Sequence, residues 1–130
     1  MFKFAADRIP VALILLLSAL DFLVYFTIEN GWILTAYLVV GILPKSQICA
    51  WNHHHQHMPT FKQKPLNRLL EFFYALHTGV TTNLWVLHHV LGHHHNYLDQ
   101  TKDESRWKRD NGENMGELEY SFNVALTAYP

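Results

Sequence analysis

The sequence His-His-Val-Leu-Gly-His-His-His occupies residues 88–95, and Asn-His-His-His-Gln-His occupies residues 52–57. These two windows contain nine of the ten histidines in the 130-residue chain, and only His77 lies outside them. Imidazole is the commonest neutral nitrogen ligand for transition metals in proteins. A surface histidine tract or an expression tag is the alternative, but a tag is uninterrupted and terminal. We therefore interpret both windows as metal-binding sequences.

The spacing within the windows is suited to metal ligation from helices. His53 and His57 are four residues apart and share a helix face, as do His89 and His93. His94 lies about 100° around an α-helix from His93. The second window can therefore offer two ligands to one metal and a third to a neighbour. The single cysteine and the absence of C-x-x-C and H-E-x-x-H patterns argue against a structural zinc site or a zinc protease.

The apolar residues are concentrated in the first half of the chain, which indicates a membrane. Residues 9–28 contain one charge, Asp21, and as a helix they span about 30 Å, the thickness of a bilayer core. A signal peptide is the rival interpretation, but the apolar run resumes at residues 22–26 without a convincing cleavage site. A turn at residues 29–31 precedes a second apolar run, residues 32–43, which we expect to continue past Pro44 to Trp51.

These two runs predict a transmembrane helical hairpin over residues 9–51. At the open end of the hairpin, Lys3 and Arg8 lie at the start of the first helix, and the basic residues 62, 64 and 68 follow the second. The turn carries only the acidic Glu29. The positive-inside rule then places the N-terminus and both histidine windows on the cytoplasmic side. The Asp21 side chain, in mid-helix, is either functional or turned toward another helix.

Residues 58–65 are expected to form a loop, and residues 66–91 an interfacial or re-entrant amphipathic helix. We expect His77 to be a packed or hydrogen-bonded histidine unless this helix breaks at Gly79. The mixed charges of residues 99–113 predict a solvated loop, and residues 122–130 resemble the start of another apolar segment. The net charge of −1 and the lack of a basic run predict no nucleic-acid partner.

A membrane hairpin, then H-x3-H, then H-x3-H-H resembles the integral-membrane fatty acid desaturase family. Residues 52–61 and 88–97 resemble its bacterial desaturase-like branch, and the resemblance extends over residues 9–109. It implies an all-α membrane protein with one desaturase-like domain over residues 1–130, apparently truncated. Within that domain we expect the hairpin at 9–51, the histidine-box region at 52–109, and a linker with a further apolar segment at 110–130.

The resemblance also implies a non-haem centre of two iron ions that uses dioxygen to remove hydrogens from an acyl chain. Its partners would be a membrane lipid or acyl substrate and an external electron donor of the ferredoxin, rubredoxin or cytochrome type. His54 and His95 are expected to be dispensable, and His55 and His88 are second-choice ligands or outer partners of the ligands. The expected metal ligands are His53, His57, His89, His93 and His94.

The sequence departs from the family pattern because no third histidine box follows the second. The boxes supply five to seven ligands, whereas two irons would need about eight or more. We expect the chain to be the N-terminal part of a longer enzyme and to be inactive alone. A hydroxylase of the same superfamily and a non-enzymatic membrane metal-binding protein are the alternative functions.

Overall fold

The computed structural model describes residues 1–103 and 105–128, the side chains of residues 127 and 128 excepted, and its regular elements are all helices. A short 3₁₀ turn, Ala5–Asp7, leads into α1 (Arg8–Thr27), α2 (Gly31–His57), α3 (Lys64–Thr78) and α4 (Thr82–Trp85). The chain continues directly into a π-helix, Val86–His94, and later forms α5, Glu117–Ala128. No β-strand occurs in these described ranges, which confirms the all-α class. The helices form two compact units, Met1–Thr82 and Asn83–Pro130.

In the first unit, α1 and α2 form a hairpin with a short turn. The Asn30 side chain caps α2, because its Oδ1 accepts hydrogen bonds from the backbone N–H groups of Trp32 (2.9 Å) and Ile33 (3.2 Å). As expected, α2 continues through Pro44, and it extends beyond Trp51 to His57. The first histidine window therefore forms the last turns of the second long helix.

Two helices of this unit are long and apolar enough to cross a bilayer, Ala5–Thr27 and Gly31–His57. Only 17% and 11% of their respective most apolar stretches are buried. Large side chains such as Phe26, Trp32 and Leu43 point outward with more than three quarters of their surface exposed. The hairpin thus presents far more apolar surface than the core of its own unit covers, which is consistent with membrane association.

The core of the first unit lies at the end of the hairpin that carries the chain's N-terminus. It consists of Val11, Ile14, Ile48, Phe61, Leu70 and Tyr74. Helix α3 packs against both α1 and α2 through the face that carries Leu70 and Tyr74. The N-terminal strand-like segment closes this end, because the Lys3 N–H donates to the Thr60 carbonyl (2.8 Å) and the Lys62 N–H to the Met1 carbonyl (3.0 Å). This arrangement fixes the loop that follows the first histidine window.

The helix expected over residues 66–91 is interrupted, so that part of the prediction was wrong. Helix α3 begins at Lys64 with Pro65 in its first turn and ends at Thr78, because Gly79 adopts a left-handed conformation with φ of 70°. The chain becomes helical again at Thr82. The break separates the amphipathic helix from the second histidine window.

The Asp21 carboxylate is turned toward another helix, one of the two roles considered for it. Its Oδ1 accepts hydrogen bonds from the Tyr37 hydroxyl and from Lys45 Nζ, both at 2.7 Å. His77 of α3 reaches the same place: its Nε2 lies 2.8 Å from Ser18 Oγ, and its Nδ1 lies 3.4 Å from Asp21 Oδ2. Polar contacts therefore join all three helices within an otherwise apolar hairpin.

In the second unit, the stretch between the π-helix and α5 is irregular in its described residues but well bonded. Gln100 Oε1 accepts hydrogen bonds from the backbone N–H groups of Trp107 (2.9 Å) and Lys108 (3.1 Å). Arg109 donates to both carboxylate oxygens of Glu119 in α5, at 2.7 and 2.6 Å. The predicted solvated loop is confirmed for residues 99–103 and 105–113, which form no helix or strand and are mostly exposed, although internal hydrogen bonds order them. Of that prediction, Glu104 lies outside the described residues, as do Tyr129 and Pro130 of the predicted final apolar segment.

Candidate metal centre

The first histidine window presents a pair of imidazoles at the end of α2. His53 and His57 have ring centroids 4.9 Å apart, and their ligand nitrogens lie within 4.8 Å of each other. Both side chains are exposed. The predicted common helix face is therefore present, and the two nitrogens are close enough to approach one metal ion without refolding the helix.

His55 points the opposite way and is buried in the first unit, with its side chain 2% exposed. Its Nδ1 accepts a hydrogen bond from the Thr60 N–H at 3.3 Å and lies 2.9 Å from Thr60 Oγ1. Its Nε2 lies 3.7 Å from Glu71 Oε1. Since both ring nitrogens face protein groups, the geometry favours a structural role for His55 over its second-choice role as a ligand. His54, expected to be dispensable, is exposed.

The second histidine window lies on the π-helix, and this changes which histidines meet. In a π-helix the hydrogen bonds join residues five apart, so His89 and His94 become neighbours. Their Nε2 atoms are 3.0 Å apart. The ring centroid of His93 lies 5.7 Å from that of His89 and 5.4 Å from that of His94. The π-helix thus brings His94 next to His89, a contact that α-helical spacing does not predict.

The donor set fits a transition metal. Two cis ligands of a six-coordinate ion lie about 3.0 Å apart when the metal–nitrogen bonds are about 2.1 Å and the angle is about 90°. The 3.0 Å separation of the His89 and His94 Nε2 atoms has this value. One of the two rings donates its Nε2–H to the other, and metal binding through both Nε2 atoms would require that proton to move to Nδ1 of its own ring. Neutral imidazoles suit iron, copper, nickel and zinc.

His93 is held by a partner that the sequence did not reveal. Its Nδ1 lies 2.9 and 3.1 Å from the two carboxylate oxygens of Asp103, whose side chain has no exposed surface. A ring contact with Tyr97, 5.5 Å between centroids, covers the same imidazole. No periodicity links residues 93 and 103, and Asp103 stands in a run of charged residues. A carboxylate about ten residues after a histidine box was the only available signal.

The remaining histidines lie outside these groupings. His88 is half-buried and His95 is exposed. His77 is buried beside Ser18 and Asp21, so it remains a packed and hydrogen-bonded histidine, as expected, although the helix does break at Gly79. The structure thus gathers His53 with His57 in the first unit, and His89 with His93 and His94 in the second.

Comparison with known proteins gives one positive result. Neither a curated protein nor a solved structure shows significant similarity to the chain. The sequence profile of the family described as "Fatty acid desaturase" matches residues 29–128. That match covers most of the chain and includes both histidine windows. The chain therefore belongs to the fatty acid desaturase family.

Proposed function

We propose that the chain forms the membrane hairpin and the first two histidine boxes of a desaturase that dehydrogenates a fatty acyl chain. The observation that best supports this proposal is that the family match at residues 29–128 contains both histidine groups, His53 with His57 and His89 with His94. Membership of this family makes oxidation in lipid metabolism the expected class of chemistry. The donor chemistry supports the same conclusion, because clustered neutral imidazoles hold redox-active iron without adding negative charge.

Five residues would hold the metal in this proposal. When bound, the two iron ions supply the activation of dioxygen that removal of hydrogen from an unactivated chain requires. The protein's own contribution is to present the imidazole nitrogens and to fix their orientation. The proposed ligands are His53, His57, His89, His93 and His94.

The proposal also assigns α1 and α2 to a bilayer. The exposed apolar surface of the hairpin supports this assignment, and the basic residues at its open end favour that end being cytoplasmic. An acyl tail would then reach the histidines from the membrane, and a soluble electron donor from the cytoplasm. The donor would be a ferredoxin, rubredoxin or cytochrome-type protein.

Five histidines are fewer than two iron ions require, so we propose that further ligands come from a third box outside residues 1–130. The 130-residue chain by itself should insert into membranes and bind metal without turnover. Because a partial imidazole site follows the general affinity order, zinc, nickel or copper should displace ferrous iron from it.

The test is to express the complete reading frame that contains these residues, with a tag that lacks histidine, and to analyse membrane lipids by gas chromatography and mass spectrometry. We expect an unsaturated acyl product that disappears in His89→Ala and His93→Ala variants. Hydroxylated acyl chains or alkanes would instead assign a hydroxylase. Bound metal with no oxidised lipid, at normal expression and with a reducing system present, would assign a non-enzymatic metal-binding protein.

A further inference from the structure

The second unit contains a carboxylate, that of Asp103, which is buried away from solvent. The Asp103 side chain has no exposed surface, although the segment around it is rich in charged residues. A carboxylate that loses its water must receive hydrogen bonds or a counter-charge, because an uncompensated buried charge is strongly destabilising. The reason for its burial must therefore lie in what it contacts.

Two donors face this carboxylate in the described part of the unit. The backbone N–H of Ser105 donates to Asp103 Oδ1 at 2.8 Å. His93 Nδ1 lies 2.9 Å from Oδ1 and 3.1 Å from Oδ2. The backbone of Asp103 is itself anchored, because its N–H donates to the Asp99 carbonyl (2.9 Å) and its carbonyl accepts from the Arg106 N–H (3.1 Å). Asp103 is thus a fixed acceptor aimed at one ring nitrogen.

An ionised carboxylate only accepts hydrogen bonds, so the proton of the His93 ring must reside on Nδ1. The lone pair is then on Nε2, which becomes the donor atom available to a metal. Metal-binding histidines in proteins commonly give their second N–H to a carboxylate, which fixes the tautomer and increases the basicity of the ligand.

We propose that Asp103 is the positioning residue of the second histidine box: it holds His93 as the Nδ1–H tautomer and thereby selects Nε2 as its metal donor. This inference rests on the proposed metal-binding function but not on turnover. It also gives a role to the hydrogen bonds within the exposed loop after the box, because those of Gln100 and Asp99 hold Asp103 in place.

The test compares Asp103→Asn and Asp103→Ala with Asp99→Asn. Asp99 is the matched control, because it lies in the same segment and its carboxylate bonds Thr101 and Lys102. The first readout is the tautomer of His93 in the metal-free chain, from ¹⁵N chemical shifts of labelled histidine in detergent. A His93→Gln variant identifies the His93 signal. The second readout is Co²⁺ affinity, followed by the absorbance of the bound ion.

We expect His93 to carry its proton on Nδ1 in the wild-type chain and to lose this preference in both Asp103 variants. Co²⁺ affinity should fall about 10- to 100-fold in these variants and stay within about twofold in the Asp99 control. The thermal midpoint of the metal-free Asp103→Asn chain should be unchanged. The lower Co²⁺ affinity would then result from lost positioning of His93 and not from unfolding.

Three results would overturn the inference: a wild-type His93 protonated on Nε2, Co²⁺ affinity unaffected by Asp103→Ala, or a wild-type chain that binds no Co²⁺. A chain that shows the expected tautomer and affinities, in a complete protein that oxidises no lipid, would refute the proposed enzyme and leave the role of Asp103 intact.

Discussion

At the scale of single residues, three histidines of similar sequence context have three different surroundings. His54 is exposed, His55 is buried against Thr60 and Glu71, and His53 shares an exposed face with His57. One residue of displacement along α2 turns a side chain by about 100°, so adjacent histidines of this window face different surroundings. Each histidine in a box must therefore be assessed by its own contacts.

His55 should contribute to stability and not to metal binding. In a His55→Ala variant, Thr60 would lose its buried hydrogen-bond partner, while Glu71 would keep Arg68 and Thr82, and the change should cost about 1–3 kcal/mol. The measurement is the denaturant midpoint in detergent, with metal content determined in parallel. His54→Ala serves as the control and should change neither quantity. A stable His55→Ala chain that has lost metal would show that His55 is a ligand.

His77 should make the first unit less stable in acid. Burial lowers the pKa of His77 below its ordinary value of 6.5, with Lys45 acting in the same direction and Asp21 in the opposite one. Because the folded state then binds fewer protons than the unfolded state, stability is complete above pH 6.5 and declines as the pH falls through that value toward the folded pKa.

The measurement is the thermal midpoint between pH 7.5 and 5 for the wild-type chain and for His77→Gln, which cannot titrate in this range. The wild-type midpoint should fall more steeply than that of the variant. His54→Gln, an exposed histidine, is the control and should follow the wild type. Parallel curves for wild type and His77→Gln would contradict the prediction.

At the scale of helices, the break at Gly79 and the π-helix decide where the second window begins. Gly79 has φ of 70°, and an added Cβ would meet no atom within 4 Å. Gly79→Ala should therefore destabilise the first unit through backbone conformation alone, by about 1–2 kcal/mol. Gly31→Ala is the matched control, since Gly31 also has open space around it but lies in the first turn of α2.

Chemical denaturation in detergent measures both variants. Gly31→Ala should be neutral or slightly stabilising, because alanine restricts the unfolded chain in a conformation that the helix tolerates. Gly79→Asn should recover part of the loss, since asparagine enters the left-handed region more easily than alanine. Equal stability of the two alanine variants would show that the α3 terminus does not depend on the glycine.

The sequence was sufficient for the long helices and insufficient for the second box. Length and apolar content predicted α1 and α2, because twenty or more apolar residues have few alternatives, and the i, i+4 spacing predicted the pairing of His53 with His57. The π-helix was missed, since an analysis at 3.6 residues per turn contains no five-residue neighbours. Asp103 was missed because its burial depends on contacts ten residues away, which charge patterning does not reveal.

At the scale of the whole chain, the transmembrane hairpin can be tested by accessibility. In a Cys49→Ser background, single cysteines at Asn30 and Gln56 should react with a charged, membrane-impermeant maleimide from opposite sides of the membrane. The wild-type chain, whose one cysteine is Cys49 on α2, is the comparison, and this cysteine should be protected in lipid but reactive in denaturant. Labelling of both engineered cysteines from one side would exclude the hairpin.

The bonds between the first residues and the loop after the first histidine window have a practical consequence for protein engineering. The Met1 carbonyl and the Lys3 N–H pair with Lys62 and Thr60, and Phe2 stacks on Phe61 with ring centroids 4.8 Å apart. Thr60 in turn bonds His55. An affinity tag or fluorescent fusion placed at the N-terminus would therefore pull on the segment that supports the first histidine box.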